Sequence, residues 1–536
     1  MTIKYKSTRG KQSNLSFEEV VLGGLASDRG LYVPETIPQF NKADIEKMRS
    51  MTFPDLAFQV ISKFVQPEDI PADKLKSIID KSFASFRCKD VTPVVKLKDY
   101  WVLELFHGPT FAFKDVALQF LGNVFEHFLL QGNIQNSITI LGATSGDTGS
   151  AAIHGLRGKA NVNCFIMFPT GKVTEIQERQ MTTIADENVH CIGIEGCFDD
   201  AQAIVKAAFA DEQFRKEVNL GAINSINLAR VLAQITYYFY SYLRVTDEVA
   251  AAGTSVPTVS YAVPTGNFGD ILAGYYAKRM GLPVGKLVVC TNENDVLHRF
   301  LQTGRYNKEP SVLTVAPSMD ISVSSNFERY LFYLAGECAN TLASWMSTFE
   351  KAGEVSVATD LLEEARSEFA SFSADKPLIV HTMTETLQSS DYLVCPHTAT
   401  AVAAIEQREA EANPLGLGSS IPVVLATAHP AKFEEAVNLA MAGCPEKSKP
   451  ARPVELECLF SQSTRKVELA NELGAVQNYI RGALAGTSIN KSAPSTGSGS
   501  SDSSADDGFT NLLTWTAVAA AVATAGYLVS RLRHSM

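Results

Sequence analysis

The stretch Ile138-Thr139-Ile140-Leu141-Gly142-Ala143-Thr144-Ser145-Gly146-Asp147-Thr148-Gly149-Ser150 decides the fold. It opens on a short apolar run rich in β-branched residues, passes through a loop with three glycines, and continues from Ser150 in a helix-like pattern. Strand, glycine loop and helix in that order make the repeating unit of a parallel α/β sheet. The same order recurs down the chain. Cys164–Phe168 is followed by a polar helix near 172–184, and His190–Ile194 by a helix at 199–209. Val259–Val263, Leu287–Cys290 and Val423–Ala426 continue the series. Near-continuous apolar strands separated by helices predict mostly parallel sheets with helices on both faces. Ligands are then expected at the C-terminal ends of the strands.

Outward from this region the chain changes character. Residues 1–95 read as a mainly helical N-terminal domain, with amphipathic stretches such as Ala57–Phe64 between turns at Pro54, Pro67 and Pro71. Residues 96–488 form the α/β region, expected as a small and a large unit. Residues 489–507 are a linker rich in Ser, Gly and Asp. A hydrophobic share of 46% and a charged share of 20% over 536 residues exclude a disordered or polytopic membrane chain. The net charge of −11, with no basic block, argues against a nucleic-acid partner. The nine cysteines have no CxxC spacing and read as reduced thiols; no metal site is expected. No apolar run follows Met1–Lys6, so no secretory signal is expected.

Three places carry chemistry. The loop 142–149 and the loop Pro264-Thr265-Gly266-Asn267-Phe268-Gly269-Asp270 each follow a strand. A glycine-rich turn at a helix N-terminus presents free N–H groups and the positive end of the helix dipole to an anion. Neither loop matches GxGxxG or GxxxxGK[ST], so no dinucleotide fingerprint or P-loop is present. The third place is Phe106-His107-Gly108-Pro109-Thr110-Phe111-Ala112-Phe113-Lys114-Asp115. Alone, Lys114 would read as a surface lysine with a buried stem. Set among Phe111, Ala112 and Phe113, its amine is desolvated, which lowers its pKa and suits it to form a Schiff base with an aldehyde cofactor. A lysine, a phosphate loop and a carboxylate loop at Ser145, Gly146, Asp147 and Thr148 are the parts that pyridoxal 5′-phosphate requires.

These motifs resemble threonine synthases of the fungal and enterobacterial kind, pyridoxal-phosphate enzymes of fold type II. The likeness runs over about residues 1–485. It rests on Gly23–Pro34, Phe106–Asp115, Glu175–Thr183, Gly266–Asp270, Met319–Arg329 and Thr427–Phe433. It implies that Lys114 is the Schiff-base residue, that Gly266, Asn267, Phe268, Gly269 and Asp270 bind the cofactor phosphate, and that Thr427 contacts the pyridine nitrogen. It also implies O-phospho-L-homoserine as substrate and L-threonine and phosphate as products. An O-phosphohomoserine phospho-lyase or a Ser/Thr dehydratase would reuse the same parts, and an inactive membrane-attached scaffold is the alternative outside catalysis. Arg329 and Lys172 are the candidates for the substrate phosphate. Two positions depart from the family pattern: Leu228 where a tryptophan is expected, and Cys395 where an aspartate is expected.

Gly508–Ser530 contains no charged residue and is followed by Arg531 and Arg533. It spans 23 residues, against about 20 needed to cross a bilayer. Trp515 and Tyr527 sit toward its two ends, as interfacial aromatics do. It reads as a candidate C-terminal transmembrane helix on an otherwise cytoplasmic enzyme.

Overall fold

The structure, a computed structural model, describes residues 3–131, 137–251, 258–408, 410 and 415–486. Two parallel sheets dominate it. The larger has six strands in the order Phe369–Ser373, Val284–Thr291, Val259–Pro264, Ile421–Ala426, Tyr100–Glu104 and Val94–Leu97. The first five are parallel, and Val94–Leu97 returns antiparallel on the edge. The smaller has five parallel strands: Val467–Leu469, Val189–Ile194, Val162–Pro169, Ile138–Ala143 and Leu220–Gly221. All six strand segments named from the sequence are strands, and the α/β class with parallel sheets is the observed one.

Several elements carry no clear pattern in the sequence. Tyr100–Glu104 and Phe369–Ser373 are five residues each, too short for alternation to show. The helix Leu228–Ala251 is 24 residues long and is buried on nearly every face from Leu228 to Leu243. A helix covered all round has no apolar stripe, so periodicity does not announce it.

The N-terminal segment contributes four helices and the antiparallel pair Tyr5–Ser7 and Tyr32–Pro34. Its first helix, Phe17–Gly23, begins at a capping box between Ser16 and Glu19. The apolar faces of these helices (Phe17, Val20, Leu56, Val60) bury in the same core as Leu118 and Tyr237. Arg9 crosses to Glu328 at 3.0 Å. The segment is therefore packed into the body of the protein and shares its hydrophobic core.

No helix among the described residues is long and apolar enough to cross a membrane. The linker 489–507 and the candidate transmembrane stretch 508–530 lie outside the described residues.

Candidate active site

Four strands deliver the site. Tyr100–Glu104, Val259–Pro264 and Ile421–Ala426 of the large sheet and Ile138–Ala143 of the small sheet all end at one cleft. Each passes from its C-terminal end into a loop whose residues line that cleft: Lys114, Gly266–Asp270, Thr427 and Ser145 with Thr148. The walls come from different sheets, so no single stretch of sequence contains the site.

Lys114 begins the helix Lys114–Gln131. The turn before it is held by Asp115, whose carboxylate accepts from the Thr110 N–H and hydroxyl, both at 2.7 Å. Gly108 is obligatory there, because a Cβ would stand 2.4 Å from that of Asp115. Phe113 N–H donates to the Thr427 carbonyl at 2.8 Å, and Ala112 bridges Ala428, so the lysine loop is tied to the Thr427 loop. The Lys114 side chain is 11% exposed. Burial is the main cause that lowers its amine pKa to about 8; Asp147 opposes the shift, and Lys432 and Arg230 add to it.

Asp147 opens the helix Asp147–Leu156 on the other wall. Its Oδ1 lies 2.7 Å from Lys432 Nζ and accepts from Gln177 Nε2 at 2.9 Å. Its Oδ2 accepts from the Ser318 hydroxyl at 3.2 Å and lies 3.9 Å from Lys114 Nζ. Burial pushes this carboxyl upward, but Lys432 and then Lys114 outweigh it and hold the group well below the usual carboxylate range. Lys114 Nζ also reaches Ser318 Oγ at 3.4 Å, and Ser318 N–H donates to His397 Nε2 at 3.0 Å. Burial lowers His397 to about 3, so its imidazole is neutral and Nε2 is an acceptor.

The loop Thr265–Asp270 faces Lys114. Phe268 takes a left-handed backbone, φ 59°, and the helix Gly269–Arg279 starts immediately after it. Across the loop, Ser324 donates to the Gly266 carbonyl and Asn326 to the Asn267 carbonyl, which turns those carbonyls away from the cleft. Asp270 is part of the cleft wall, yet its Oδ1 accepts from both Tyr237 and Tyr238 hydroxyls at 2.6 and 2.9 Å. Burial raises its carboxyl to about 7. The two hydroxyls turn this carboxyl away from the loop, and burial weakens the charge it would set against an anion there.

The structure separates the residues expected around the substrate. Ser145, Asp147 and Thr148 line the cleft, whereas Gly146, at φ 136°, caps the turn behind them. Asp147 is engaged by cations and donors and serves as their counter-charge. Arg329 is not on the cleft wall. It is fully buried in the helix Phe327–Leu334, where its guanidinium donates to the carbonyls of Tyr32 and Ile226 and to the Asn326 side chain. Its motif is structural, tying the N-terminal segment to the large unit. Lys172 is exposed on the turn after Val162–Pro169 and also lies off the cleft.

Two cations that sequence reasoning did not single out stand at the site instead. Arg230, 4% exposed on the helix Leu228–Ala251, lines the cleft; its Nη1 donates to the Ile223 carbonyl and its Nε finds no partner among the described residues. Burial lowers it to about 10. Lys432 is fully buried beside Asp147. Both lie inside segments that the sequence had marked for other residues. For Arg230 the available signal was a cation among Leu228, Ala229, Val231 and Leu232, the kind that identified Lys114; Lys432, beside Glu434 and Glu435, has none.

The two departures sit close by. Leu228 is the fully buried first residue of its helix. Cys395 caps the helix Pro396–Glu406, its sulfur accepting from Thr398 N–H at 3.4 Å and meeting Thr398 Oγ1 at 3.2 Å. Thr398 Oγ1 accepts from Thr427 N–H at 3.3 Å. The thiol thus fills the capping position an aspartate would take.

The donor set fits pyridoxal phosphate. A desolvated amine at Lys114 faces a cradle in which no backbone acceptor takes the N–H groups of Gly266, Asn267, Phe268 or Gly269 among the described residues. A Cβ at Gly266 would press on the Ser318 carbonyl at 3.2 Å, so the cradle is cut close to the backbone. The Thr427 hydroxyl lies on the same wall.

Comparison with known proteins places these parts in one family. The family described as Threonine synthase N terminus matches residues 4–83, Pyridoxal-phosphate dependent enzyme matches 87–426, and Threonine synthase, C-terminal matches 398–480. A threonine synthase of Schizosaccharomyces pombe is 49% identical over 472 residues, 82% of this chain and 90% of its own. One of Pseudomonas aeruginosa is 46% identical over 480 residues, 89% of this chain and 98% of its own. Among solved structures, threonine synthase from yeast superposes with a TM-score of 0.84 at 43% identity, covering 90% of this chain and 99% of that one. The pyridoxal-phosphate-bound threonine synthase of Brucella melitensis gives 0.82 at 40%, with the same coverage.

Proposed function

The chain belongs to the threonine synthase family, and on that premise we propose that the cleft around Lys114 is where it turns O-phospho-L-homoserine and water into L-threonine and phosphate. It is a pyridoxal-phosphate-dependent lyase. The observation that carries the placement is the buried Lys114 amine, lowered to about 8, between an uncommitted N–H cradle and the N-terminus of a second helix.

When bound, the cofactor supplies an aldehyde that captures amines and a ring that draws electrons from bonds next to the substrate α-carbon. The chain supplies the rest. Lys114 would hold the aldehyde carbon, and its amine, when free, would take the Cα proton and move the β-proton as general base and acid. The N–H groups of Gly266, Asn267, Phe268 and Gly269 would hold the cofactor phosphate, with Asp270 turned away from it onto the Tyr237 and Tyr238 hydroxyls. Thr427 offers the ring nitrogen a neutral hydroxyl, so the ring is not held protonated as it would be by a carboxylate. Ser145 and Thr148, at the N-terminus of the helix Asp147–Leu156, receive the substrate carboxylate. Arg230, which lines the cleft, is the cation for the departing phosphate, in place of Arg329 and Lys172.

The test is product identity. Purified full-length protein with cofactor and O-phosphohomoserine is expected to release threonine and phosphate in equal amounts. Release of 2-oxobutyrate in place of threonine would mean a phospho-lyase.

A separate reading attaches to residues 508–530. Their 23 uncharged residues, flanking aromatics and trailing arginines support a C-terminal anchor that would leave the enzyme in the cytoplasm. Carbonate extraction of full-length protein, against a chain stopped at Asn490, checks it. Full-length protein found wholly in the soluble fraction ends the anchor reading.

A further inference from the structure

Two lysines converge on one carboxylate. Lys432 Nζ is 2.7 Å from Asp147 Oδ1, and Lys114 Nζ is 3.9 Å from Asp147 Oδ2, with Ser318 Oγ bridging at 3.4 and 3.2 Å. Lys432 is wholly buried and its other contact is the Thr110 carbonyl at 2.8 Å, in the turn that delivers Lys114. It does not line the cleft, so neither cofactor nor substrate binding accounts for it. It stands on the turn Pro430–Lys432 after a strand of the six-stranded sheet, while Asp147 opens a helix after a strand of the five-stranded sheet.

We propose that Lys432 is a positioning residue for the Lys114 amine: it draws the Asp147 carboxylate into a buried ion pair of its own, and so loosens that carboxylate's hold on the Lys114 proton. The inference rests on the reading of Lys114 as the cofactor lysine.

The charges facing Lys114 show why the second lysine matters. Asp147 reaches it from one wall and Asp115 from its own helix; Arg230 reaches it from the helix Leu228–Ala251 and Lys432 from the turn after Ile421–Ala426. His397, behind Ser318, is neutral. Two carboxylates are thus balanced by two cations. A carboxylate within about 4–6 Å favours the ammonium form and raises a lysine pKa. Without Lys432 the balance turns negative, Asp147 pairs with Lys114, and the amine keeps its proton. With Lys432 present, burial prevails and the amine stays near 8.

Capture of added pyridoxal phosphate by the full-length apoprotein, followed by visible absorbance against pH, reads the Lys114 amine without turnover. The wild type is expected to show a midpoint about 8. Lys432→Met should move it up by about 1–2 units, and the double variant Lys432→Met/Asp147→Asn should bring it back. Asp147→Asn alone should move it down, because an unpaired Lys432 then faces Lys114. Lys432→Arg, which keeps the charge, should leave it in place. A merely structural lysine would weaken capture equally at every pH. An unshifted midpoint in Lys432→Met, or a double variant that stays displaced, overturns the proposal; if Lys432→Met does not fold, an unshifted Asp147→Asn does so. Absorbance that persists in Lys114→Ala would instead sink the reading of Lys114, a different outcome from any of these.

Discussion

The loop Gly142–Gly149 and the loop Thr265–Asp270 each run from the C-terminal end of a parallel strand into a helix, and each carries one aspartate. Their internal hydrogen bonding differs. In the first, Thr144 Oγ1 accepts from the N–H groups of both Gly146 and Gly149, at 2.9 and 2.8 Å, so the loop consumes much of its own donor capacity. Its aspartate stays ionised and points at Lys432, Ser318 and Lys114. In the second, the carbonyls are pinned outward by Ser324 and Asn326, no backbone acceptor among the described residues takes the N–H groups of 266–269, and the aspartate is turned into two tyrosine hydroxyls. The first loop places a charge and two hydroxyls beside the amine; the second is an anion cradle. Glycine content alone does not distinguish them. The fate of the N–H groups does.

The largest effect tests what both loops serve. Lys114→Ala should remove the visible absorbance of the lysine-bound cofactor and reduce turnover by about 10^4-fold or more. A Lys114→Ala protein with full activity would leave both loops without a common centre.

The next separates the loops. Gly266→Ala puts a methyl 3.2 Å from the Ser318 carbonyl and 3.3 Å from Met319 Cα. Overpacking of this kind costs about 1–3 kcal/mol, which is roughly 5- to 150-fold in cofactor affinity. Equilibrium titration of the apoprotein with pyridoxal phosphate measures it. Unchanged affinity would mean that the phosphate sits elsewhere.

Thr144→Ala makes the complementary test on the first loop. It strands two N–H groups at a buried position, at about 1–3 kcal/mol of stability. Urea unfolding should show that loss and the substrate KM should rise, while cofactor affinity stays within about twofold. A fall in cofactor affinity comparable with that of Gly266→Ala would erase the distinction between the loops.

How much of this was legible before the structure follows from the kind of signal each part leaves. Lys114 announces itself because an apolar surrounding is local in sequence. The six named strands show because buried parallel strands are continuous apolar runs. Arg230 leaves a weaker trace of the same kind, while Lys432 leaves none, since what makes it special is which segments fold against it. Asp147 looked like a substrate ligand because its loop does; its partners Lys432 and Ser318 lie far off in sequence. Arg329 was misplaced for the opposite reason. A charged residue in a polar motif suggests a ligand, and here its donors close on the backbone of the N-terminal segment and of the loop before the long helix.

The smallest effect concerns Cys395. Cys395→Asp, the residue the resemblance leads one to expect, strengthens the cap in one respect, since a carboxylate at a helix N-terminus accepts from Thr398 N–H and meets the positive end of the dipole. It weakens it in another, because the position is 1% exposed and a buried charge must be desolvated. Burial already pushes the Cys395 thiol pKa up, so the native group is neutral and escapes that cost. The two terms have opposite sign, so any loss of stability should stay below the roughly 3–5 kcal/mol of an uncompensated buried charge. The cap meets the Thr427 loop at backbone atoms, through Thr398 Oγ1 to Thr427 N–H and through the Cys395 sulfur to Ala428. Those backbone atoms are also held by the strand before them, so turnover should stay within about twofold, with the cofactor spectrum unmoved. A large change in that spectrum would show that the Thr427 hydroxyl is held by the cap as well as by the strand before it, and that the second wall of the cleft is less rigid than its backbone bonds to the lysine loop imply.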